Sequence, residues 1–290
     1  MLFKISCCAF SFQGLDLDEK LKLVRNMAFD TVDLSAKQGD ELSQQMMIES
    51  PESYGKTIRE KAAQHGLKLD ELFICTILDD GNDIDIATDD AATQERLLSY
   101  FQQFCLFGQT AGFESIMLVP LCSDETDPQA AWNNTVRMLR RCTEIAVSHE
   151  LVFNIEPVDF SLLKTPETAC KMAEEGPGLG FTLDSSHYVC AGFSQEEIAK
   201  MHKYLRHMHI RQATKGSRQE PIETGTIDFA KITQLLLDDD FAGNLAMEHI
   251  DKVESAYRPI NSVVRQNVEL AARVKYTAEH EQTKRSPKNA

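Results

Sequence analysis

Short apolar runs alternate with stretches whose apolar residues recur at helical spacing through most of the chain. Residues 2–10 read as a first strand, and residues 18–27 as a helix with Leu21, Val24 and Met27 on one face. Residues 29–34 alternate apolar and polar, as a strand does. Ser50, Pro51 and Glu52 open a helix with proline at its first position, running to His65 with Gly66 placed to cap it. Residues 69–78 hold a third strand. Leu97, Leu98, Phe101, Phe104 and Cys105 form a broad helical face that Gly112 stops. Residues 113–120 form a fourth strand. Asp127 and Pro128 start a helix with Trp132, Val136, Leu139 and Ala146 inward.

The second half repeats the rhythm. A strand ends at Glu156, and Thr165 and Pro166 then open a helix that stops near Glu175. The run from Leu179 ends in Asp184, and a capping box of Ser194 and Glu197 opens a short helix. A strand leads to His209. A helix follows with Phe229, Ile232, Leu235 and Leu236, then a strand ending at Glu248. Val264, Val268, Ala271 and Val274 carry a closing helix.

Eight strands alternating with helices predict parallel strands with helices packed outside. Eight such units in 290 residues predict one closed (β/α)8 TIM barrel spanning residues 1–276. Residues 277–290 are polar and read as a disordered C-terminal tail. A doubly wound open sheet is the alternative, disfavoured because polar residues mark the ends of many strands. The longest connection, residues 211–228, contains Gly216 and Gly225 and reads as an ordered active-site loop.

A net charge of −15 argues against a surface that tracks phosphate backbones, and equally against an anionic membrane surface. No apolar run is long enough to span a bilayer. The eight cysteines show no C-x-x-C pair, and most lie in apolar segments, as in a reduced cytoplasmic protein. Nucleic acid and membrane partners are therefore not expected, and a homo-oligomer is left open.

The chemistry gathers at the strand ends, the face on which TIM-barrel sites sit. Glu156, Asp184, His209 and Glu248 follow four consecutive apolar strands, where an uncompensated charge would be costly. Any one of them alone is most simply a helix cap or a loop residue; the coincidence of four points to a shared divalent ion. Three carboxylates and one imidazole suit Mn²⁺, Mg²⁺ or Co²⁺, with Zn²⁺ or Fe²⁺ as alternatives. His187, read as a loop residue at the barrel mouth, is placed to contact substrate. His207 shares a strand face with His209, one layer deeper, and reads as a hydrogen-bonded core histidine.

These pieces resemble the xylose isomerase-like barrel superfamily, and within it the sugar phosphate isomerase/epimerase group. The resemblance rests on Asn154 to Pro157, on Thr182 to His187, on His207 to Ile210, on Gly225 to Asp228 and on Ala246 to Glu248. It implies a metal held by Glu156, Asp184, His209 and Glu248, and substrate contact by His187. It also implies that Glu156 and Glu248 pass a proton to and from the carbon beside a carbonyl, through an enediolate. The ketose 3-epimerases of the group carry further polar residues where this chain has Val158 to Leu162 and Ile210 to Thr214. Arg211 or Arg218 would then supply the missing substrate-binding cation.

The expected substrate is a sugar, keto-sugar or polyol. A lyase, dehydratase or hydrolase acting on a keto-inositol or 3-keto-glycoside would use the same ligands. An apurinic endonuclease ranks lower, because the early strand ends offer Ser11, Ser35, Thr76 and Pro120 and no histidine. A binding or assembly subunit without activity is a further alternative.

Overall fold

The computed structural model describes residues 3–37, 41–74, 85–120, 127–176, 178–250, 252–253, 256–257 and 259–285. Eight parallel strands close into a barrel in chain order. They are β1 (Lys4–Cys8), β2 (Thr31–Ser35), β3 (Lys68–Ile74), β4 (Ser115–Leu118), β5 (Val152–Ile155), β6 (Gly180–Asp184), β7 (Leu205–Ile210) and β8 (Asn244–Met247). Closure comes from β8 lying beside β1, with Asn244 opposite Lys4 and Met247 opposite Cys7.

The helices are α1 (Leu17–Asn26), α2 (Gln44–Glu49), α3 (Pro51–Gln64), α4 (Ala91–Ala111), α5 (Pro128–Ser148), α6 (Pro166–Glu175), α7 (Ser185–Ala191), α8 (Gln195–Ile198), α9 (Phe229–Asp238) and α10 (Ile260–Arg285). Their starts follow the sequence signals. Pro51, Pro128 and Pro166 sit in the first turns, where a missing N–H costs nothing. The Ser194 hydroxyl accepts the Glu197 N–H, and the Glu197 side chain accepts the Ser194 N–H. Gly112 ends α4 in the left-handed conformation, φ 88°. The apolar core fills the layer between strands and helices, with Leu72, Phe107, Phe153, Phe181 and Met208 buried in it. No helix among the described residues is long and apolar enough to cross a membrane.

Some elements differ from the sequence pattern. The third strand ends at Ile74, and the rest of the expected run, with Cys75 and Thr76, lies outside the described residues. α2 and α7 are too short to show a helical period. The closing helix continues past Thr277 to Arg285. Its polarity suggested a frayed tail, but Glu, Gln and Lys are good helix formers, and Ala278 is fully buried. Residues 286–290 lie outside the described residues. Val268 is 40% exposed; the inward side of α10 is set instead by Val263, Leu270, Ala271 and Val274.

The barrel interior below the mouth is polar. His207 on β7 donates from Nε2 to Asp33 Oδ2 at 2.8 Å, and its Nδ1 lies 3.3 Å from Asp70 Oδ2. Glu71 accepts from Ser115 Oγ and Asn154 Nδ2 at Oε1 and from Thr182 Oγ1 at Oε2, at 2.7 to 2.9 Å, and Oε2 lies 3.8 Å from His207 Nε2. Burial works against a charged His207, but Glu71 and Asp33 outweigh it and raise its pKa well above the ordinary value. The imidazolium is thus the counter-ion for acids from β2 and β3, and the core-histidine reading of His207 holds.

Replacing His207 with alanine should destabilise the fold by about 3–5 kcal/mol, since it strands buried carboxylates without a cation. Urea unfolding measures this, and a loss below about 1 kcal/mol would mean that the layer does not depend on the ring. Burial also raises the Cys7, Cys8, Cys105 and Cys142 thiols, whereas Cys170 and Cys190 are only partly buried. Among these six, a thiol-specific reagent should label Cys170 and Cys190 first and the other four only on unfolding, as read by peptide mass.

Candidate metal centre

The barrel's hydrogen-bond ladder runs one residue past β5 and β8 and so fixes a glutamate at the end of each. The Glu156 N–H donates to Leu118 O, and the Glu248 N–H to Ile210 O, each at 3.0 Å. Both glutamates are thereby held at the C-terminal mouth beside His209, which pairs across the sheet with Asp184 on one side and Ala246 on the other. His209 Nδ1 lies 3.4 Å from Glu156 Oε1 and 3.4 Å from Glu248 Oε2. Phe10 packs edge-on against the ring, with centroids 6.1 Å apart.

Glu156, His209 and Glu248 each present a ligand atom within 4.8 Å of the others, and Glu156, Asp184 and His187 form a second such group. The four residues singled out in the sequence meet at one mouth, linked through Glu156. All are buried. His209 Nδ1 and Glu248 Oε2 are buried atoms with no hydrogen-bond partner. An orphaned imidazole nitrogen facing an orphaned carboxylate oxygen is costly unless something shared satisfies both. The donor set, carboxylates with one imidazole and no thiolate, fits a hard or borderline divalent cation.

With no ion bound, burial lowers and Glu248 and Glu156 raise the pKa of His209, which ends at about 9. Burial pushes the Glu248 carboxyl up to about 7, against the opposing pull of Arg211 and His209. Asp184 goes the other way. Burial opposes its ionisation, but Arg211, His187 and Ser186 overcome that and lower its pKa.

Arg211, two residues after His209, points to the same side of the strand line. Its Nη2 is 2.5 Å from Asp184 Oδ2, and its Nε donates to Ser186 Oγ at 2.8 Å. His187 Nε2 is 3.2 Å from Arg211 Nη2. His187 is not on a loop, as the sequence suggested, but in the first turn of α7, which Asp184 caps by accepting the Ser186 N–H. Its Nδ1 faces Asp159 at 3.4 Å, and Phe160 packs against its ring at 5.6 Å.

Arg218 stands further out. Its Nη2 donates to both Asp159 oxygens at 3.3 Å, and its guanidinium lies over Phe160. Of the two candidate cations, then, Arg211 reaches the ligand set directly and Arg218 only through Asp159 and His187. The loop carrying them is ordered, as expected. Gln212 is bonded to both the N–H and the C=O of Ile227. Gly225 lies where a Cβ would collide with Gln212 Oε1, so only glycine fits.

A cavity of about 740 Å³ opens at the opposite mouth, lined by Lys4, Arg206 and Asp239 among others. Size alone does not mark the site; the convergence of ligand atoms does. Residues that the sequence did not flag are Asp33, Asp70, Glu71 and Ser186. The acids lie inside strands, and only the closed barrel turns them toward His207.

The family described as the xylose isomerase-like TIM barrel matches residues 21–273. No curated protein sequence matches the chain. Solved structures of similar shape include a D-psicose 3-epimerase determined with D-fructose, at 14% identity and TM-score 0.77, covering 95% of this chain and 99% of that one. An L-ribulose 3-epimerase has 18% identity and TM-score 0.76, covering 99% and 98%. A 3-keto-D-glucoside 4-epimerase from E. coli has 15% identity and TM-score 0.70, covering 94% and 99%. Closed barrel, chain-ordered strands and a family match over most of the length agree: the chain belongs to the xylose isomerase-like TIM-barrel family.

Proposed function

We propose that this protein is a divalent-metal-dependent isomerase or epimerase acting on a sugar, keto-sugar or polyol. Glu156, Asp184, His209 and Glu248 are the proposed ligands, and Mn²⁺, Mg²⁺ or Co²⁺ the favoured ions. The observation that carries the reading is the meeting of Glu156, His209 and Glu248 at one mouth with two of their buried atoms unpartnered. Membership of the family and the likeness in shape to sugar epimerases support it.

An ion held by Glu156, Asp184, His209 and Glu248 would supply Lewis acidity to a carbonyl oxygen of the substrate. The protein's own residues do the rest. Glu156 and Glu248 flank His209, so one carboxylate takes the proton from the carbon beside the carbonyl and the other returns a proton to it. Each carboxylate has two oxygens, so one can face an ion while the other faces the reacting carbon. His187, buried and steadied by Asp159 and Phe160, presents Nε2 toward the ligand set and would hold a substrate hydroxyl or carbonyl oxygen. Arg211 is the nearest cation for a developing oxyanion, and Arg218 orders the mouth by binding Asp159.

A lyase, dehydratase or hydrolase acting on a keto-inositol or 3-keto-glycoside is the second reading. It uses the same proton abstraction, and the keto-glucoside epimerase among the similar structures favours keeping it. An apurinic endonuclease is disfavoured. Among the described residues the first four strands bring Cys8, Asp33, Asp70 and Glu71 inward and no histidine. We further propose a cytoplasmic, reduced setting, in keeping with the buried free thiols.

Glu156→Gln and Glu248→Gln should each lower turnover by a factor of about 10³ or more while leaving the melting temperature within a few degrees. Retention of both activity and bound metal in both variants would reject the assignment. With keto-sugars and inososes in D₂O, an epimerase should return isomers of unchanged composition that carry deuterium beside the carbonyl. A product lighter by one water would select the dehydratase instead. His187→Ala should raise KM more than it weakens ion binding; an equal loss of both would make it a ligand.

A further inference from the structure

Asp184 is the member of the proposed ligand set whose oxygens are most heavily engaged. Oδ1 accepts the Ser186 N–H at 2.8 Å. Oδ2 accepts the Ser186 hydroxyl at 2.8 Å and is in ion-pair contact with Arg211 Nη2 at 2.5 Å, with His187 Nε2 3.6 Å away. A carboxylate oxygen has about two lone-pair positions, so Oδ2 is full. His209 Nδ1 and Glu248 Oε2, by contrast, are buried without a hydrogen-bond partner, 3.4 Å from each other, and Arg211 Nε comes no nearer to that Glu248 oxygen than 4.0 Å. Glu156 has His209 as its close polar neighbour, 3.4 Å away, among the described residues.

Arg211 cannot step aside by losing its proton, because a guanidinium stays charged in a protein. Nor is it a loose surface side chain. It is 6% exposed, anchored through Nε to Ser186 Oγ, and it comes directly after β7. Two cations drawn to one carboxylate oxygen in a dry site repel each other strongly.

From this competition, and resting on the metal-centre reading above, we infer that Arg211 is a built-in rival of the divalent ion for Asp184. The resting site offers an ion three ligands, Glu156, His209 and Glu248. Asp184 yields Oδ2 to the ion only when Arg211 lets go. Arg211 thereby sets how tightly the ion is held and makes it readily exchangeable. An anionic or oxyanionic substrate group that draws Arg211 away would tighten the ion as it binds.

The test is Mn²⁺ binding, followed by equilibrium dialysis and by the electron paramagnetic resonance signal of free Mn²⁺. The proteins are the wild type, Arg211→Met, Asp184→Asn and the double variant. Arg211→Met should bind Mn²⁺ about 10-fold or more tightly than the wild type. Asp184→Asn should cost little affinity with Arg211 present, and about 10-fold or more once Arg211 is replaced. Arg211→Gln, which keeps a donor for Ser186 but no charge, gives the same readout if the methionine variant folds poorly by circular dichroism. Equal tightening by loss of Arg211 with and without Asp184→Asn would mean simple through-space repulsion and would overturn the inference. So would unchanged or weaker binding in the arginine variants. If none of the proteins takes up Mn²⁺, the metal centre itself falls, and the rivalry with it; uptake without coupling removes the rivalry alone.

Discussion

Carboxylates gathered inside a closed barrel must be met by positive charge, because water cannot reach in to solvate them. One strand supplies most of that charge. On β7 and just past it, alternate residues His207, His209 and Arg211 point the same way, and each faces acids from other strands. His207 meets Asp33, Asp70 and Glu71. His209 meets Glu156 and Glu248, and Arg211 meets Asp184. The two-residue period of a strand thus builds a column of basic side chains up the barrel.

The levels of that column are not equally satisfied. On the lowest, both ring nitrogens of His207 have carboxylate partners and Glu71 is held by a serine, an asparagine and a threonine, with the Asn154 and Asn244 amide oxygens the buried atoms left without a hydrogen bond there. That level behaves as structure. The highest pairs Arg211 tightly with Asp184. Between them lies His209, with its Nδ1 and the facing Glu248 oxygen unpartnered. A folded chain that leaves such atoms open in its interior gives up stability there, and such departures concentrate where function needs them. The ion and the proton traffic proposed above are assigned to this middle level, where an imidazole nitrogen and a carboxylate oxygen without hydrogen bonds face each other.

The surroundings of the mouth carry a second line of polar order. Asp159, reached by His187 on one side and Arg218 on the other, ties the segment after β5 to the long loop after β7. Phe160 packs against both the His187 ring and the Arg218 guanidinium. Those contacts come from residues 158–162, just after β5. Of the two cations proposed for substrate, Arg211 lies inside this network and Arg218 at its rim.

Much of this was legible in the sequence. Strand–helix alternation, proline starts and capping boxes are local signals, and they fixed the element order and the fold class. Glu156, Asp184 and Glu248 stood out because each closes an apolar run, so a sharp change of polarity marks the strand end without any knowledge of the fold. Other features carried no such local mark. Asp33, Asp70 and Glu71 read as ordinary polar strand positions, and only barrel closure brings them around His207. α7 is too short to show a period, so His187 reads as a loop residue by sequence although it sits in a helical turn capped by Asp184. Arg211 and Arg218 were equivalent candidates by sequence, seven positions apart on one loop. Sequence determined which residue types come after which strand, because backbone propensity and burial act over a few neighbours. The tertiary structure alone decided that Arg211 rather than Arg218 lies against Asp184, because that choice depends on which side chains distant segments bring within a few ångströms.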